Sequence, residues 1–212
     1  MKNLIVAAFA AAAISTAAFA ADLPRKDVAP ALPVKANDYY EPQSVVTGSF
    51  TSNFEPGEYS DSTGFDYTLG YKFLGLGNGI AVGGSIVSSS TNNFEDFDAK
   101  RLEADVKWSA PTGFGITTNI GGGLGYRLNE EDVYFQVNSG IDYSVNDFVT
   151  LNAINYQFRD NFDNTWQSHE VGTGVTVKVV DNVSVSGKIA RSYDEDLEAA
   201  SDSFTVGVGF EF

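Results

Sequence analysis

The chain has 212 residues, no cysteine, one histidine and a formal net charge of −15. Zero cysteine excludes a disulfide framework and Cys-based metal or redox chemistry, and the acidic balance argues against a nucleic-acid partner, which requires a basic face. No segment after the first 20 residues is long and apolar enough for a transmembrane helix, and the length suits one domain.

The first 20 residues read as a signal peptide. Lys2 supplies the positive start, Leu4 to Ile14 an Ala-rich apolar stretch, and Ala18-Phe19-Ala20 the small-x-small pattern before a cut. A retained anchor is the competing reading, but alanine is only weakly hydrophobic. Residues 21–44 form a tail that holds four of the six prolines, Pro24, Pro30, Pro33 and Pro42. Proline fixes φ and removes donors, so this stretch reads as a flexible or polyproline-like periplasmic spacer. Its start, Ala-Asp-Leu-Pro-Arg-Lys, resembles the mature N-termini of small outer-membrane proteins from alphaproteobacteria.

Residues 45–212 keep a period of two. Apolar residues at Phe50 and Phe54, at Phe65 through Phe73, at Ile80 through Ile86 and at Leu102 through Trp108 alternate with small or polar ones. The alternation continues through Phe114 to Tyr126, Val133 to Tyr143, Val149 to Phe158, Val171 to Val179 and Val183 to Tyr193. A phase change near Ala153 predicts a β-bulge. In the last run Phe204, Val206, Val208, Phe210 and Phe212 share one parity, and Thr205, Gly207, Gly209 and Glu211 take the other. Strand side chains alternate between faces, so each run has one apolar and one polar face. This run resembles the terminal strand of bacterial outer-membrane β-barrels. The resemblance implies that its aromatic end is the signal read by the outer-membrane assembly machinery.

The runs predict a ten-stranded antiparallel transmembrane β-barrel. Short connections at 75–79, 110–113, 146–147 and 181–182 alternate with mostly longer, acidic ones at 55–63, 91–98, 129–132, 160–167 and 194–202. Short periplasmic turns and long outer loops produce that sorting, and a soluble sandwich has no reason to sort its loops by end. Aromatics gather at both levels: Phe73, Trp108, Phe114, Tyr143, Phe148 and Phe212 near the turns, Phe54, Phe65, Tyr126, Phe135, Phe158, Tyr193 and Phe204 near the loops. They read as two interfacial girdles.

The inward parity carries Asp66, Glu103, Asp105, Asp142, Glu170 and Glu211 against Lys72, Arg101, Lys107, Arg127, Arg159, Lys178 and Lys188. Charges in a narrow barrel must be paired or hydrated, so most of these are expected to brace the wall and the rest to tune permeation. Gly172, Gly174, Gly207 and Gly209, with Gly121, Gly123 and Gly125, also face inward. Strands eight, nine, ten and one therefore line a sector of little bulk, which predicts a thin water path. Inward glycines also leave room for a large residue such as Tyr134.

Ten strands with His169 near the outer rim resemble omptin proteases, whose pattern is an Asp-x-Asp pair facing an Asp-x-His pair. Asp96-Phe97-Asp98 matches the first pair, but Gln167-Ser168-His169 has glutamine where the second requires an acid. The loops are also short for a proteolytic cleft, and no G-x-S-x-G context is present. No catalytic residue, metal or cofactor is therefore expected. The loop acids Glu55, Glu58, Asp61, Glu95, Asp96, Asp98, Glu130, Glu131, Asp132, Asp160, Asp163, Asp194, Glu195, Asp196, Glu198 and Asp202 face no basic residue within their loops. They predict an acidic mouth that attracts cations or bridges through divalent ions to lipopolysaccharide. The expected function is a narrow porin-like passive channel. The alternative is a structural or adhesive barrel with a filled lumen.

Overall fold

The computed structural model describes residues 44–74, 76–90, 98–163 and 166–212. The expected signal peptide, the tail up to residue 43, and Glu95 and Asp96 lie outside the described residues. Ten strands run through the described residues: β1 (Ser44–Phe54), β2 (Ser62–Phe73), β3 (Ile80–Ser90), β4 (Asp98–Gly113), β5 (Ile116–Arg127), β6 (Asp132–Ser144), β7 (Val149–Asn161), β8 (Gln167–Val180), β9 (Val183–Tyr193) and β10 (Ala199–Glu211). Each pairs antiparallel with its neighbours in sequence, and β1 pairs with β10, from Val45 against Glu211 to Phe54 against Asp202. The barrel is closed. At the seam Ser44 and Phe212 exchange backbone hydrogen bonds of 2.9 Å each way, so pairing begins one residue inside the segment assigned to the tail.

The packing is inverted relative to a soluble domain. Among the described residues the buried hydrophobic side chains are only Ala81, Val87, Tyr134, Phe158 and Ala190. Leu69, Ile86, Leu102, Val106, Leu124, Val137, Ile141, Val175, Ile189, Val206 and Phe210 are exposed around the outside. Burying apolar area is the main favourable contribution in water, and exposed apolar patches on soluble monomers rarely exceed a few hundred Å². A continuous apolar belt around a closed barrel is the surface of a protein whose solvent on that side is lipid. Trp108, Phe114, Tyr143, Phe148 and Phe212 stand exposed at the short-turn end, with Tyr126 and Phe204 towards the loops.

Two features of the wall follow from local chemistry. The register of β7 breaks between Asn152 and Asn155 against β8, where the phase change requires an extra residue. The turn expected at 110–113 lies instead at Phe114-Gly115, with φ of 53° and 76°. Positive φ at both central positions suits a tight hairpin, whose twist then matches the strands. Pro111 is absorbed within β4 because the ladder becomes irregular between Pro111 and Gly113, where its missing N–H interrupts no regular pairing.

The loop ends of the strands run further than the apolar alternation. Asp98, Asp132, Asp160, Gln167 and Asp202 all belong to strands, not to the loops where the sequence placed them. Above the lipid a strand needs no apolar face, since ladder hydrogen bonds alone continue it. The pattern therefore stops before the strand does.

Candidate functional site: the barrel lumen

Alternation places most of the charged side chains of six consecutive strands, β4 to β9, inside the barrel, and those of the loop half form one network. Glu103 on β4 accepts a hydrogen bond from the Tyr134 hydroxyl at 2.6 Å, and lies 3.8 Å from Arg101 Nε and 3.7 Å from Arg159 Nε. Arg159 Nη1 lies 3.9 Å from Glu170, which accepts from Lys188 Nζ at 2.5 Å. Contacts that run from β4 through β6 and β7 to β9 cross the lumen. Tyr134 is 0% exposed. Its ring fills the space over Gly125, its direct partner on β5, where even a methyl group would overlap the ring. The large residue thus reaches its glycine from the adjacent strand.

The network is capped towards the loops. Arg127 Nε donates to Asp132 at 2.7 Å, Asn161 donates to the same carboxylate at 3.0 Å, and the guanidinium lies 4.6 Å from the centroid of the Trp166 ring. Trp166 in turn meets Tyr134 edge-on at 5.4 Å. Asp132 is therefore an inward ion-pair partner, not a free acid of the outer mouth. Adding it brings the inward charges to seven of each sign. Arg127 and Asp132 are the direct partners that close the β5–β6 hairpin, so a shorter loop estimate, 128–131, would have revealed the pair.

Towards the short turns the lumen opens. Lys72, Asp105, Lys107, Asn138, Asn155, Glu170 and Lys188 line a cavity of about 170 Å³. Asp142 beside it accepts from Asn119 and Asn152, both at 2.9 Å. Asp66, on β2, accepts from Ser89 at 2.5 Å and Asn53 at 3.2 Å. Lys178 and Glu211 fall on the inward parity near the turns, by strand alternation.

A second cavity, about 420 Å³, lies against β8, β9, β10 and β1. Thr47, Ser49, Thr176, Ser184, Ser186, Gly207 and Gly209 line it, so its wall is built largely of small residues. A Cβ at Gly207 or Gly209 would stand 2.8 Å from a serine hydroxyl, Ser186 and Ser184 respectively. Gly174 packs close to the Gly187 carbonyl instead, and Gly172 lies beneath the Lys188 stem, 2.7 Å from where its Cβ would be. Those two glycines make room for neighbours and not for solvent. Asn155 and Lys188 line both cavities, which therefore adjoin.

His169 and Glu170 are adjacent in sequence but on opposite faces. Glu170 enters the lumen, whereas His169 is buried on the outward face, its Nδ1 2.8 Å from the Tyr156 hydroxyl and its ring 5.0 Å from Phe158. Asp160, an outward acid on the neighbouring strand, accepts a hydrogen bond from Gln167 at 3.5 Å. Among the described residues no group of three His, Asp or Glu converges as a metal site. Asp202 is also outward: Arg191 donates to it through Nε at 2.6 Å and Nη2 at 2.7 Å, and the Gly57 N–H at 2.9 Å. It too leaves the set of free rim acids, and Arg191 is a cation that the sequence reading did not single out.

No protein-family model matches the chain, and no curated protein matches it. The chain is similar to several solved structures. An outer membrane channel from Pseudomonas putida F1 is 10% identical, with a TM-score of 0.49 over 84% of this chain and 100% of that one. The translocator domain of autotransporter NalP from Neisseria meningitidis is 11% identical, with a TM-score of 0.48 over 82% and 90%. Ail, the attachment invasion locus protein of Yersinia pestis, is 16% identical, with a TM-score of 0.37 over 81% and 98%.

Proposed function

We propose that this chain is an integral outer-membrane protein that acts as a narrow, porin-like passive channel for small ions and solutes. The observation that carries the reading is the 420 Å³ cavity along the Gly/Ser/Thr wall, beside a lumen whose loop half is filled by paired charges. Ten strands enclose only slightly more than the eight-strand barrel that side chains just fill, so any path is thin and off-centre. The wall itself carries balanced charge. Selectivity then arises at the outer mouth, where Glu55, Glu58, Asp61, Asp194, Glu195 and Glu198 concentrate cations.

The proposal includes export by residues 1–20, a periplasmic spacer at 21–44, and insertion by the outer-membrane assembly machinery through the last strand. Its surroundings are outer-membrane lipid and lipopolysaccharide. Affinity with alphaproteobacterial proteins rests on residues 21–26 alone. No catalytic residue is assigned.

A structural or adhesive barrel is the second reading, favoured by the Arg101–Glu103–Arg159–Glu170 network and Tyr134, which fill the loop half of the lumen. Single-channel recording of the refolded protein separates the two. The channel reading expects small, uniform steps that shrink when Gly207→Leu or Gly209→Leu is introduced into a barrel that still folds. Silence at every salt concentration leaves the structural reading.

A further inference from the structure

The 170 Å³ cavity is lined by more cations than acids. Three lysines and two acids line it: Lys72, Lys107 and Lys188 against Asp105 and Glu170. Glu170 is engaged by Lys188 and Arg159. Among the described residues, Lys72, Lys107 and Asp105 form no ion pair and make no hydrogen bond to another side chain, so Asp105 offsets the charge of one lysine and leaves the other in excess. Widening the set to Arg101, Arg159, Glu103 and Asp142 adds two charges of each sign, so one positive charge remains in excess. The two oxygens of Asp142 are meanwhile taken by Asn119 and Asn152.

An ammonium removed from bulk water and left without an anion is costly, and the cost falls when an anion enters. The amides of Asn138 and Asn155 line the same space and donate to no other described group. At about 30 Å³ per water, the cavity holds the volume of roughly five or six waters, the scale of one small oxyanion with its residual hydration. The adjoining cavity, which reaches Ser184 and Gly209 beside the short turns, gives access without passing the acidic loops.

We propose that this cavity is a binding site for a small oxyanion, an inorganic phosphate or a short carboxylate, held between Lys72 and Lys107. The site lies within the lumen proposed as the conduction path, but its occupancy does not require conduction. The test uses the full chain refolded in detergent micelles, with thermal unfolding followed while inorganic phosphate or acetate is titrated at constant ionic strength. The unfolding midpoint is expected to rise and saturate with phosphate. Lys72→Gln combined with Lys107→Gln should weaken the apparent affinity by about tenfold or more, near 1.4 kcal/mol. Asn155→Asp, which keeps both lysines and adds a competing carboxylate, should give the same loss and covers the case in which the double variant does not fold. Lys178→Gln, outside the cavity, should bind as the wild type does.

No phosphate-dependent rise in the wild type, or an undiminished rise in the folded variants, overturns the site. Bilayer recording on the same samples tests the channel separately. A silent barrel that still binds phosphate refutes conduction alone, and a conducting barrel indifferent to both anions refutes the site alone.

Discussion

Tyr134 packs the loop half of the lumen, and two substitutions divide its contribution. Tyr134→Phe removes the 2.6 Å hydrogen bond to Glu103 and keeps the ring over Gly125 and against Trp166. A bond to a charged acceptor contributes about 1.5–3 kcal/mol, and Glu103 keeps its two arginines, so the lower end of that range applies. Tyr134→Ala also empties a site that is 0% exposed. Truncating a buried aromatic costs about 3–5 kcal/mol, because neighbours held in a closed wall collapse little into the void. Urea unfolding in lipid vesicles measures both, read through tryptophan fluorescence, since Trp166 touches the ring and Trp108 sits on the outer face at the turn end. The expected order of stability is wild type, Phe, Ala, with Ala also raising single-channel conductance. An Ala variant within about 0.5 kcal/mol of wild type, the range of ordinary surface changes, would refute the packing argument. A Phe variant as unstable as Ala would place the whole effect in the hydroxyl.

Deleting Phe212 removes both backbone bonds to Ser44 at the seam, and Phe212→Asp puts a charge at the turn-side girdle. Both should lower the amount of heat-modifiable protein in membranes, and normal levels of both would sink the terminal-strand reading. Asn or Gln at Asp194, Glu195, Asp196 and Glu198 should reduce cation preference, measured as reversal potential in a salt gradient. The difference should fade near 1 M salt, where the screening length is about 3 Å. Asp132→Asn and Asp202→Asn should instead leave selectivity unchanged and lower the thermal midpoint, because each strands an arginine partner. The wild type is expected to cleave no basic peptide; robust cleavage lost in His169→Ala would overturn the non-enzymatic reading.

The wall was legible because its signal is repeated ten times over: alternation, loop sorting and girdles all report one solvent arrangement. The phase change at Ala153 is the clearest case, since a single slip in parity predicts the break that β7 and β8 display. Strand ends were misread for the same reason. Asp132, Asp160 and Asp202 look like loop acids because alternation is a signal of lipid contact, and strands outlast that contact. Pairings inside the lumen were harder still. Parity names Glu103 and Arg159 as inward, but nothing in sequence tells that residues three strands apart meet across the barrel. Nor does it tell that Lys107 closes no ion pair among the described residues. His169 was placed at the right height, while the face it occupies set it apart from Glu170.

The outward ion pair of Arg191 and Asp202 has a bearing on the membrane itself. Along β2, β8 and β10 the outward apolar runs cover residues 65–73, 171–179 and 204–212, eight steps each. At about 3.4 Å per step and a tilt near 40°, that is a band roughly 21 Å tall on this side, while the ten steps of Ile116–Tyr126 and Val133–Tyr143 reach roughly 26 Å, close to the usual barrel belt of about 25 Å. Arg191 and Asp202 stand just above its upper edge, and they admit no upward adjustment without drawing a guanidinium into hydrocarbon. The pair therefore sets an upper limit on the bilayer thickness that this side of the barrel meets. In a thicker bilayer, the acyl chains must compress around the barrel, because a rigid closed wall, unlike a helix, has little freedom to change its tilt.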